Sequence, residues 1–74
     1  MKYTLLENFV PCGTYEGTPG SDEHGDFIIF DLNVAQNLLP GSFLKNSSGD
    51  MLSLKEQDYV RDSDNHIIAC KYYY

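Results

Sequence analysis

Residues 57–73, QDYVRDSDNHIIACKYY, decide the fold class. Two runs rich in β-branched and aromatic residues, 57–61 and 66–73, flank Asp62-Ser63-Asp64-Asn65. Asp, Ser and Asn turn a chain because their short side chains bond nearby backbone groups, so two such runs about such a cluster read as a hairpin. Alternation in the second run sets Ile67, Ala69 and Lys71 against Ile68, Cys70 and Tyr72, the period of a strand.

The same pattern recurs upstream. SFLKN (42–46) and MLSLK (51–55) flank Asn46-Ser47-Ser48-Gly49-Asp50, a second hairpin signature, with Leu52 and Leu54 on one face. DFIIFDL (26–32) reads as the central strand, its FIIF core suited to burial on both faces. Asn33 is then placed to cap a short helix, VAQNLL, in which Val34 and Leu38, and Ala35 and Leu39, are spaced i,i+4. Pro40-Gly41 ends it in a type II turn. KYTLLENFV (2–10) alternates loosely, with Tyr3, Leu5 and Phe9 on one face, and Pro11 is expected to stop it. PCGTYEGTPGSDEHG (11–25), with four glycines and two prolines, reads as one long loop that exposes Tyr15.

The expected fold is therefore mainly β: one domain over residues 1–74, a small antiparallel barrel or sandwich of five to six strands, SH3-like or OB-like in scale, with at most one short helix near residues 33–39. A chain this short has a thin stability margin, and part of it is expected to come from self-association or a partner.

Eleven Asp and Glu against five Lys and Arg give a net charge of −6. Charge of that sign repels phosphates and acidic headgroups and attracts basic protein surfaces. Direct nucleic-acid binding is not expected, although six tyrosines offer stacking surfaces, because Lys2, Lys45, Lys55, Arg61 and Lys71 are dispersed and outnumbered. No membrane-spanning run is present. The N-terminus lacks the pattern of an export signal, which leads to the expectation of a cytoplasmic protein whose Cys12 and Cys70 remain reduced rather than paired.

No signature of catalysis emerges. Asp22, His24 and Asp26, and again Asp62, Asp64 and His66, place three potential metal ligands at alternate positions. Both sets are read as turn-forming residues instead, and no metal, cofactor or catalytic residue is expected. GTYEG and GTPG lack the lysine of a phosphate-binding loop.

The function expected from these features is recognition. The first reading is a non-enzymatic protein-interaction module, a structural or accessory subunit of a larger assembly of the phage or viral kind, using Tyr15 and the terminal Tyr73 and Tyr74 as contacts. The second is an acidic inhibitor that mimics nucleic acid and occupies the basic groove of a nucleic-acid-processing protein. In that reading Asp22, Glu23, Asp26, Asp58, Asp62 and Asp64 form the contact. The partner in both is a protein, in the second one with a basic surface.

Overall fold

The computed structural model describes all 74 residues, Met1–Tyr74. Eight strands and one helical turn follow one another as β1 (Lys2–Glu7), β2 (Val10–Glu16), β3 (Thr18–Asp22), β4 (Gly25–Asp31), α1 (Leu32–Ala35), β5 (Phe43–Lys45), β6 (Met51–Ser53), β7 (Gln57–Arg61) and β8 (Ile67–Tyr73). They form two four-stranded antiparallel sheets, ordered β2-β1-β5-β6 and β3-β4-β8-β7. The chain is thus four consecutive hairpins delivered alternately to the first and the second sheet.

The fold is mainly β as expected, with eight strands rather than five or six, and the added strands come from the segment read as a loop. Residues 11–25 are not a loop: they supply most of β2, all of β3 and the first residue of β4. Both new strands lie at sheet edges, β2 in the first sheet and β3 in the second. An edge strand has one row of backbone groups with no partner, so Pro11 in β2 and Pro19 in β3 are tolerated there. Pro11 therefore does not end the N-terminal run. The run ends earlier, in a two-residue turn at Asn8-Phe9.

Gly17 is the point at which the chain leaves the first sheet for the second. A Cβ there would lie 2.7 Å from Phe30 Cε1 and 2.8 Å from Ile28 Cγ2. The absent side chain lets the backbone corner press against the core.

The core draws on both sheets: Tyr3, Leu5 and Leu44 from the first, Ile28, Phe30, Cys70 and Tyr72 from the second, closed by Ala35, Leu38 and Leu54. Phe30 makes edge-to-face contacts with Tyr3 across the sheets and with Tyr72 beside it, at 5.7 and 6.0 Å between ring centroids. β4 is a central strand, as its sequence suggests, and Ile28 and Phe30 face the core while Phe27 and Ile29 are half-buried on the outer face.

The helix is displaced from its expected place. Asp31, not Asn33, is the N-cap, and its Oδ1 accepts the Val34 amide at 3.0 Å. After one turn the bonds tighten to i→i+3, Asn37 N to Val34 O and Leu38 N to Ala35 O. At three residues per turn Ala35 lines up with Leu38 rather than Leu39. Ala35 and Leu38 are accordingly buried and Leu39 is exposed. The Leu39 carbonyl accepts the Ser42 amide at 2.9 Å, and Gly41 has φ +96°, the left-handed position that a type II turn about Pro40-Gly41 requires.

Candidate interaction surfaces

The register of the second sheet brings several of the sequence-predicted residues together on its outer face. Asp58 lies opposite Lys71, and Lys71 opposite Ile29; one pair along, Tyr73 lies opposite Phe27 and Phe27 opposite Gly20. Asp22 projects from the end of β3 into this group. Its Oδ2 accepts the Tyr73 hydroxyl at 2.7 Å and lies 3.4 Å from Lys71 Nζ, while its Oδ1 accepts the His24 amide at 2.8 Å. Lys71 Nζ sits 4.5 Å from the centre of the Phe27 ring.

These contacts set the protonation of the group. The Tyr73 hydrogen bond, with the His24 amide and the Lys71 ammonium adding to it, holds the Asp22 carboxyl below its usual range. The same bond pushes the Tyr73 hydroxyl up, because losing its proton would set two anions together. Burial opposes charge on Lys71, but Asp22 and Tyr73 outweigh it and raise its pKa.

The tyrosines expected as exposed contacts are half-buried. Tyr15 is half-buried on β2, opposite Tyr3, and packs on the core. Tyr73 is held by Asp22, and its backbone amide donates to the Glu56 carbonyl at 2.9 Å. Tyr74 packs against the core, and its amide donates to the Asp26 carbonyl at 3.2 Å. Strand pairing holds Tyr15 and Tyr73, and core packing with one backbone bond holds Tyr74.

The acids behave differently. Eight of the eleven belong to the hairpins of the second sheet or the residue leading into them: Asp22, Glu23, Asp26 and Asp31, then Glu56, Asp58, Asp62 and Asp64. Only Glu7, Glu16 and Asp50 belong to the first sheet and its turns. Alternate delivery of hairpins gathers two acidic stretches, separate in sequence, into one sheet, with the Asp22-Glu23 turn at the Tyr73 end of β8 and the Asp62-Asp64 turn at its Ile67 end.

Of the two possible metal-ligand sets, Asp22, His24 and Asp26 are not brought together, whereas ligand atoms of Asp62, Asp64 and His66 lie within 4.8 Å of one another. Asp62 Oδ1 there accepts the amides of Asp64 and His66, each at 2.9 Å. That is the turn-forming use of an aspartate. Cys12 is exposed on β2 and Cys70 buried on β8, and both are free thiols.

A second surface was not anticipated. The β1–β2 turn has φ +51° at Asn8 and +64° at Phe9, the left-handed pair of a type I′ hairpin. Asn suits its position, but the second position favours glycine, and a side chain there costs roughly 1–2 kcal/mol. Phe9 occupies it with 79% of its surface exposed, stacked on Phe43 at 6.5 Å. Beneath lies a groove of about 600 Å³ on the outer face of the first sheet, lined by Thr4, Leu6, Phe9, Pro11, Thr14, Lys45, Gly49 and Met51. The register arranges this face of the sheet in two rows across the four strands, Thr14-Thr4-Lys45-Met51 and Pro11-Leu6-Phe43-Ser53. The sequence carries one sign of this surface: the dipeptide Asn8-Phe9 stands where a hairpin turn calls for Asn-Gly.

Comparison of the chain with protein-family models, with curated proteins and with solved structures finds no match. No helix is long and apolar enough to cross a membrane.

Proposed function

We propose that this chain is a non-enzymatic protein-interaction module, a small subunit or accessory protein of a larger assembly, and that it engages a protein through the Phe9 turn and the groove beside it. We read the two sheets as a small sandwich that holds this turn rigidly. The observation behind the reading is Phe9 itself. An exposed aromatic in a left-handed turn adds nothing to the core and strains the backbone. Strain of this kind is maintained where it presents a contact. A large rigid ring beside an open groove is a usual anchor of a protein interface.

The test is a comparison of proteins captured by the wild-type chain and by Phe9→Gly, a change that supplies the residue the turn prefers. The reading expects a protein retained at high salt by the wild type and lost by the variant. Identical captures would overturn it.

A second reading is supported by the collection of acids on one sheet: an inhibitor that sets this acidic sheet in the basic groove of a nucleic-acid-processing protein. It expects a captured protein that is released by salt and lost on Asp58→Lys or Asp62→Lys, with Phe9→Gly silent.

A further inference from the structure

We propose that the Phe9 face of the first sheet pairs with the same face of a second copy of this chain about a two-fold axis. This rests on the reading of that face as an interaction surface and names its partner. A two-fold contact needs one patch that is complementary to itself. The patch here holds both halves of such a fit: a projecting ring, Phe9, braced on Phe43, and beside it an open groove of about 600 Å³ lined by Leu6 and Met51 among threonines and Lys45. In the pair, the Phe9–Phe43 stack of each copy fills the groove of the other. Phe43 and Met51, 44% and 47% exposed in the single chain, become covered.

Electrostatics favours the first sheet over the second for self-pairing. A chain of net charge −6 resists its own copy. Eight of its eleven acids belong to the second sheet and its turns, so pairing through the first sheet keeps most of the like charge out of the contact. The groove itself is lined by a single charged residue, Lys45, which has no carboxylate partner within 4 Å. The energetics point the same way. Only 11 of 74 residues are buried, a thin core for an isolated domain, and the pairing extends apolar burial without new chain.

The experiment is sedimentation velocity on the purified chain over a concentration series at two salt concentrations, with Phe9→Gly, Met51→Glu and Asp58→Lys alongside. A reversible dimer is expected that high salt leaves intact or tightens. Phe9→Gly weakens it about tenfold or more, as loss of a central aromatic anchor does. Met51→Glu, at an exposed position, abolishes it with the fold intact by circular dichroism, and Asp58→Lys on the far sheet leaves it unchanged. A dimer indifferent to both Phe9→Gly and Met51→Glu overturns the proposal, as does a chain monomeric up to its solubility limit. If the monomeric chain still captures a different protein that Phe9→Gly loses, the interaction surface stands and only the identity of its partner falls. If that capture is also unaffected, both readings fall.

Discussion

The Tyr72 hydroxyl, near the end of β8, donates to the Leu38 carbonyl at 2.9 Å and approaches the Ala35 carbonyl at 3.2 Å. It also accepts from Gln57 Nε2 at 3.3 Å. Tyr72 has no exposed surface. One phenol thus closes the helical turn and its exit, which have few other backbone partners, onto the second sheet.

Tyr72→Phe removes the hydroxyl and leaves the two carbonyls buried without that donor. Loss of a buried donor costs about 1–3 kcal/mol. The expected result is a lower urea midpoint with an unchanged slope, and faster amide exchange at Leu38, which would report loosening of the α1 segment ahead of the sheets.

Gly17→Ala forces a methyl group against Phe30 and Ile28, both fully buried. Overpacking of this kind costs about 1–3 kcal/mol. Because both neighbours lie in the central strand β4, the expected outcome in a thermal scan is a single transition at lower temperature, not the loss of one hairpin. An unchanged midpoint would mean that the corner at Gly17 relaxes freely.

Stability should fall at both ends of the pH scale, for different groups. Asp22 is held below its usual range, so its contribution is complete above the ordinary carboxylate value near ~4 and is lost as pH falls through the lowered value. Tyr73 and Tyr72 are raised, the second by burial to about 12. Their contributions are complete below the ordinary phenol value of about 10 and are lost as pH rises through the folded values. Tyr73→Phe removes the main cause of the Asp22 shift. It is expected to flatten the acid limb of a stability–pH profile as well as part of the alkaline limb, and an acid limb unchanged by Tyr73→Phe would contradict this coupling.

The 62–66 turn separates a backbone role from a metal role. Asp62→Ala deletes the acceptor of two amides and should cost about 1 kcal/mol, while Asp64→Ala should change stability by no more than about 0.5 kcal/mol. A metal-stabilised turn would instead lose stability in both variants and on chelation.

Phe9→Gly exchanges one small term for another. It relieves left-handed strain of roughly 1–2 kcal/mol and gives up a stack worth about 0.5–1.5 kcal/mol. Its unfolding free energy should stay within about 1 kcal/mol of wild type, which is what makes it a clean probe of the interaction surface.

The hairpins at 42–55 and 57–73, the central strand at 26–31 and the β class are all legible in the sequence. Each of these rests on local rules: period-two alternation, turn residues between the runs, and a Pro-Gly stop. The sequence misplaced the helix by about two residues because the cap depends on where β4 ends, and because a tightened turn buries Leu38 in place of Leu39. It misread residues 11–25 because Pro and Gly argue against a strand only where the neighbour on each side demands a hydrogen bond, and edge position is a property of the assembled sheet. Which surfaces are free follows from the assembled fold alone. Tyr15, Tyr73 and Tyr74 look exposed in sequence and are held by strand pairing or core packing, whereas Phe9 looks like core by alternation and is turned outward by a two-residue hairpin. The acids were countable from the start, but their collection on one sheet follows from the alternating delivery of hairpins. A one-dimensional pattern cannot express that, because the partners of each strand lie far away along the chain.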